Sequence, residues 1–246
     1  MYSRMFKFLA MTLLATSVAR AQSNVNARVV LERVTANRAT KDFSLKARLF
    51  VSRDKIVPVE ILVKNSTNET RTIYRSGTNE FLVVQPVHGV SQFYLAGVGE
   101  LTGAWRMERL LGSQFSYYDL GLSYLRWTNA TVVAEDRLRG RDCYVVEVKA
   151  TGEPYAKVKL WIDKEFPGLL RTEAFDEDGS PVRRMFITSF MRVGGELWIP
   201  RGIEAATVLP GALPAEERSR LDIFESDYGA KLPAEKFAES RFGPAR

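Results

Sequence analysis

The chain reads as an α+β protein that is mainly β. It predicts a single curved antiparallel sheet, an unclosed β-barrel of about ten to eleven strands, with short helices plugging the concave side. Three observations carry this. Apolar and polar residues alternate through a long succession of segments, the pattern of a sheet with one covered and one wet face. Turn signals rich in Gly, Asn, Asp and Pro separate the segments. Segments of eight to eleven residues span roughly 26–36 Å, and about ten of them exceed what one flat sheet carries without curling.

The first segment stands apart. Met1–Ala21 carries Arg4 and Lys7, an apolar run Phe8–Ala15 and an Ala19-Arg20-Ala21 ending. That is the pattern of a cleavable secretory signal, and the run is short for a bilayer span. Removing Arg4, Lys7 and Arg20 takes the chain from 35 basic residues to 32, against 29 acidic ones, a mature charge of +3. Such a charge argues weakly for nucleic acid as a partner. Cys143 is the one cysteine, so no intramolecular disulfide forms. Gln22 follows the expected cleavage site, so the mature chain is expected not to be lipidated itself. The expectation is a soluble periplasmic domain over residues 22–246. With 46% hydrophobic and 26% charged residues, it has material for a sizeable core.

In chain order, Asn24–Asp42 reads as a helix, with Val29, Val30, Leu31 and Val34 on a loose stripe. Strands follow. Leu45, Ala47, Leu49 and Val51 alternate with Lys46, Arg48 and Phe50; Val57, Val59, Ile61 and Val63 alternate with Pro58, Glu60, Leu62 and Lys64. The segments 70–75, 80–85 and 91–95 are further strands, and the glycine-rich 96–103 reads as a loop. In Gly112–Leu122, Ser116 stands at an N-cap position with Asp119 three residues on, a capping-box spacing. Phe115 and Leu120 fit a hydrophobic staple around it. The helix is either a connector covering a sheet end or a plug for a cavity, with Phe115, Tyr117, Tyr118 and Leu122 as the lid residues.

The second half is a meander: 130–138, 143–150, 155–163, 169–175, 182–192, 197–208 and 218–226. Asp176–Ser180, with its Asp-Gly pair, reads as a hairpin turn. A proline-containing loop lies around Pro210–Pro214. Leu232–Phe242 reads as a short closing helix with Pro233 in its first turn.

Little in this sequence points to covalent chemistry, and the chain is read as not an enzyme. His88 is the one histidine, so a zinc site or a Ser-His-Asp arrangement lacks partners, and no G-x-S-x-G elbow occurs. The carboxylates Asp163/Glu165 and Asp176/Glu177/Asp178 fall at strand ends, where turns favour them. No metal or cofactor is expected. What remains is the apolar face, either an ordinary core or in part a lipid-accepting cavity. Its candidates are Leu49, Ile61, Tyr144, Val146, Val148, Val158, Leu160, Ile162, Met185 and Ile187. At about 0.8 kcal/mol per buried methylene, an acyl chain of roughly 16 carbons offers on the order of 10 kcal/mol before costs.

Several runs carry a resemblance. Leu111–Leu120, Gly140–Glu147 around Cys143, Tyr155–Asp163 around Trp161, Glu173–Asp176 with Gly179, and Leu232–Phe237 together resemble the periplasmic outer-membrane lipoprotein-sorting family, in its LolA-like subgroup. The resemblance implies an unclosed β-barrel with a helical lid over a hydrophobic cavity that receives the acyl chains of lipoproteins in transit. It implies a carrier whose partners are a lipidated protein or other lipid, an inner-membrane releasing complex and an outer-membrane acceptor, with the chain itself monomeric. The rival readings are an envelope-stress sensor or regulator that binds lipoprotein or a partner protein with the same fold, and a secreted hydrolase.

Overall fold

A computed structural model describes residues 25–195, 197–208 and 217–244. The signal-like Met1–Ala21 and the loop around Pro210–Pro214 lie outside the described residues. The first element is helix α1 (Ala27–Ala36), capped by the Asn26 side chain, which accepts from the Arg28 N–H at 2.9 Å. It is shorter than the 24–42 expected, and buries Ala27, Val30 and Leu31.

Six strands follow: β1 (Phe43–Phe50), β2 (Ile56–Asn65), β3 (Glu69–Ser76), β4 (Asn79–Pro86), β5 (Gln92–Leu95) and β6 (Gly99–Glu100). The crossing segment holds two 3₁₀ turns (Gly103–Met107, Leu110–Gly112), helix α2 (Tyr117–Gly121) and a further 3₁₀ turn (Ser123–Arg126). The meander is β7 (Asn129–Leu138), β8 (Arg141–Lys149), β9 (Lys157–Asp163), β10 (Leu169–Phe175), β11 (Pro181–Val193), β12 (Leu197–Thr207) and β13 (Glu217–Tyr228).

All thirteen strands form one antiparallel sheet, in the order β6-β5-β4-β3-β2-β1-β13-β12-β11-β10-β9-β8-β7. Among the described residues the count is thirteen rather than about ten to eleven. One addition is the two-residue β6, hidden inside a glycine-rich stretch that carries no alternation. The topology places the chain's start mid-sheet. It runs outward from β1 to the β6 edge, crosses to the β7 edge, and works back until β13 pairs β1, with Leu49 opposite Leu221. The two edges do not pair with each other, so the barrel is unclosed.

The inner face follows from register. Val148 lies opposite Val158, which lies opposite Ala174, then Arg183, then Thr207. One row along, Val146, Leu160, Thr172, Met185 and Ala205 align in the same way. These apolar residues join Leu49, Ile61, Phe81 and Phe93 in one core, with α1 and α2 packed on it.

The outer face departs from the expectation of a wet side. Phe81, Leu82, Val83 and Val84 are all buried, although they alternate in direction. The cause is the C-terminal segment. It forms two 3₁₀ turns (Ala234–Phe237, Glu239–Phe242), not one helix, and sets Phe237 and Phe242 against Leu62, Ile73, Leu82, Val84 and Tyr94. It therefore covers the convex side and is no part of the plug. A second outer cluster joins Cys143, Val145, Trp161 and Leu170.

Candidate functional site

The crossing segment, named the plug for its position on the inner face, carries the helix that the capping signal marks. Ser116 caps α2: its hydroxyl accepts from the Asp119 N–H at 3.1 Å, and the Asp119 carboxylate accepts from the Ser116 N–H at 3.1 Å. Leu122 ends the helix in a left-handed conformation (φ 45°), so the chain turns directly into the next 3₁₀ turn. This geometry drives Phe115, Tyr117, Tyr118 and Tyr124 into the core, all buried. Leu122 is half-buried at its edge.

Tyr118 bridges the two halves of the sheet. Its ring lies 5.9 Å from that of Phe93 on β5 and 5.6 Å, edge-on, from that of Tyr155 ahead of β9. Tyr117 packs on Phe81 at 4.4 Å. Aromatic contacts at these separations add to the burial term.

Polar groups fasten the plug. The Asp119 carboxylate accepts from Arg183 Nη2 at 2.6 Å and from the Tyr155 hydroxyl at 2.7 Å. Arg183 also donates to the Gln114 carbonyl and, at 2.9 Å, to the Thr207 hydroxyl. That hydroxyl donates to Gln114 Oε1 at 2.6 Å, and Gln114 Nε2 donates to Glu217 at 2.8 Å. Burial opposes the charge on Arg183, but Asp119 beside it prevails and holds the guanidinium pKa above its usual value. Burial, reinforced by Asp119, pushes the Tyr155 hydroxyl well above its ordinary pKa. At the other end of α2 the Tyr118 hydroxyl donates to Glu153 at 3.0 Å, and Arg106 pairs with the same carboxylate at 3.1 Å.

The ten cavity candidates all belong to the inner face or its margin. Leu49, Ile61, Val146, Val148, Val158, Leu160, Ile162, Met185 and Ile187 are buried, and the half-buried Tyr144 packs against the core under Lys164, 4.8 Å from its ring. The plug's aromatic side chains join the core that most of them share. The larger hollows open at the rim, of about 560 Å³ beside α1 and about 770 Å³ near the start of β7, and other residues line them. A smaller hollow of about 230 Å³ lies between the crossing segment, at Leu110, Leu111 and Tyr117, and the sheet, at Val59, Phe81 and Leu95.

Sequence reasoning marked Asp119 only as a cap and missed Arg183, Tyr155, Gln114 and Thr207. A signal for Arg183 existed. It lies in phase with Met185 and Ile187, so strand alternation alone aims it inward. The carboxylates at strand ends act as turn residues. Asp163 accepts from the N–H groups of Glu165 and Phe166, each at 2.9 Å, and Asp176 accepts from the Ser180 N–H at 2.8 Å. His88 stands in the β4–β5 connection, at the rim.

A family model described as "Uncharacterized protein", -like, matches residues 95–243, more than half of the chain. The chain belongs to that family. Its fold is LolA-like, that of the outer-membrane lipoprotein-sorting proteins. A domain from Vibrio parahaemolyticus described as an outer membrane lipoprotein-sorting protein superposes with a TM-score of 0.76 at 13% identity, over 87% of this chain and 97% of that one. A DUF1329 family protein from Desulfovibrio piger gives 0.73 at 16% identity, over 88% and 97%. A LolA superfamily protein from Nitrosomonas europaea gives 0.61 at 16% identity, over 87% and 98%. No curated protein matches the chain. In this LolA-like fold the capped helix α2 and its flanking turns pack on the inner face of the sheet. Among the described residues, no helix is long and apolar enough to cross a membrane.

Proposed function

We propose that this chain is a periplasmic carrier that shelters acyl chains on the inner face of its half-barrel. Its client is a lipidated protein or another lipid, received from an inner-membrane releasing complex and passed towards an outer-membrane acceptor. One observation carries the reading: a continuous apolar face is covered by a segment that contributes no strand to it and is held by a few polar contacts, the most buried of them the Asp119–Arg183 ion pair. Such a cover can lift as a unit. An acyl chain that takes its place restores the apolar burial the plug gives up, at about 0.8 kcal/mol per methylene. Loading is then an exchange of one apolar filling for another.

The test is native mass spectrometry of the mature chain purified from its own periplasm, beside Asp119→Asn. The carrier reading expects a co-purifying lipid mass, with faster uptake of a fluorescent fatty acid by the variant. A bare mass in both, with no uptake by the folded variant, would sink it. Depletion in cells reads the direction of transfer, because loss of a carrier strands lipoproteins at the inner membrane whereas loss of a sensor does not.

A further inference from the structure

The 3₁₀ turn Ser123–Arg126 places alternate fates on adjacent residues. Tyr124 and Leu125 are buried, which leaves Arg126 half-buried at the rim, beside Trp127 as the chain straightens into β7. Arg71 and Arg106, also half-buried, have carboxylate partners, Arg71 in Glu69 and Glu239 and Arg106 in Glu153. Among the described residues Arg126 has neither an ion pair nor a hydrogen bond. Its surroundings work against its charge. Burial, and then the like charge of Arg38, hold its pKa below the usual arginine value. A guanidinium that sheds part of its hydration and gains no partner is a cost to the fold, unless an anion completes it.

The space for such an anion is present. Arg126 lines the rim hollow of about 560 Å³. Three guanidiniums, Arg28, Arg38 and Arg126, face that hollow against one carboxylate, Glu32, which Arg28 already engages at 3.1 Å. Arg38 is oriented by its bonds to the Thr70 hydroxyl at 3.0 Å and the Ser66 carbonyl at 3.4 Å. Leu31, Leu125 and Trp127 form an apolar wall below. The hollow on the other side of Arg126 does not share this balance: Lys149 is offset there by Glu153 and Glu177. The geometry points to a subsite for a phosphate group centred on Arg126 with Arg38, in which the apolar wall takes the start of an acyl chain where the phosphate belongs to a lipid. The guanidinium fork matches a phosphate's paired oxygens. Only the acyl part of this inference rests on the carrier reading above.

Isothermal calorimetry on the mature full chain tests it, with three probes: a short-chain phosphatidic acid, the diacylglycerol with the same chains, and inorganic phosphate. The first two differ only by the phosphate. The expected result is that the wild type binds phosphatidic acid at least about tenfold more tightly than diacylglycerol, the scale of one charge-assisted contact. Arg126→Gln loses that preference and leaves diacylglycerol binding unchanged, and Arg126→Lys recovers part of it. Arg126→Gln also keeps or raises the melting temperature, whereas an arginine that served only packing would lower it. Arg126-dependent binding of inorganic phosphate, with no lipid bound at all, supports the subsite and removes the carrier reading. Lipid binding that ignores Arg126 overturns the subsite and leaves the carrier reading standing. Absence of any Arg126-dependent binding overturns the subsite as well.

Discussion

Asp119 on the plug and Arg183 on β11 meet at 2.6 Å, with side chains only 9% and 11% exposed. The pair joins residues 64 positions apart and spans from the lid to the inner face of the sheet. Both ends are further satisfied, Asp119 by Tyr155 and Ser116, Arg183 by Thr207 and Gln114. Removing one partner leaves the other buried and uncompensated, which costs about 3–5 kcal/mol. Asp119→Asn and Arg183→Met are each expected to lose that much in urea unfolding. The double variant should recover a good part of it, because neither charge then remains. If the two single losses simply add, the pair is not coupled and the latch is wrong.

How much of this was legible beforehand depends on the kind of interaction. The strands were, because alternation is local and register follows from it. The cap was, because Ser116 and Asp119 are three residues apart. Arg183 announces only a direction: in phase with Met185, it must face inward, but nothing near it in the sequence names Asp119. Outer-face burial of Leu82 and Val84 was hidden for the same reason, since their cover comes from Phe237 and Phe242 far along the chain. What lies against the inner face was hidden more deeply. Val158 and Leu160 read identically whether a side chain or a lipid lies against them.

Gly121 measures how tightly the plug is seated. A Cβ there would come within 2.5 Å of the Phe93 ring. Phe93 is itself held between Phe81, at 6.2 Å, and Tyr118. It has little room to retreat, so Gly121→Ala is expected to cost about 1–3 kcal/mol by overpacking. Phe93→Leu in the same chain should return part of that loss. A Gly121→Ala midpoint in urea equal to wild type would mean that α2 floats on the sheet.

Leu160 is fully buried at the centre of the inner face. Leu160→Ala is expected to cost about 2–5 kcal/mol, the range for a buried leucine whose site cannot collapse. The same change opens room beside Val146 and Thr172, so a small apolar ligand should restore part of the melting temperature. A loss below about 1 kcal/mol would place this position outside the packed core.

Cys143 gives a chemical handle on the outer face. It is buried under Trp161 and Leu170, and burial, followed by Asp163, pushes its pKa up. The thiolate is the reactive form, so both accessibility and ionisation protect it. A maleimide should leave the native chain unlabelled at pH 8 and label it fully in urea. Native labelling at the rate of a free thiol would show that β8 and β9 are not packed as described.

The plug's tyrosines set an alkaline limit on stability. Tyr118, Tyr124 and Tyr155 are essentially inaccessible, and burial is the first cause raising each hydroxyl's pKa. Carboxylates add to it, Glu153 at Tyr118 and Asp119 at the other two. At these three positions the folded chain therefore keeps protons that the unfolded chain gives up as pH passes 10.0, the ordinary tyrosine value. Above that point the unfolded state binds fewer protons, so stability falls as pH rises. Each retained proton contributes a slope of about 1.4 kcal/mol per pH unit, and three contribute about 4. Below about pH 9 the same groups produce no dependence. Tyr124→Phe isolates one of them, since the Tyr124 hydroxyl makes no well-formed hydrogen bond among the described residues. That variant should match or exceed wild-type stability at pH 8 and lose about 1.4 kcal/mol per pH unit of the alkaline slope. Melting temperatures from pH 8 to 11 decide it: a flat profile would mean that water reaches the plug.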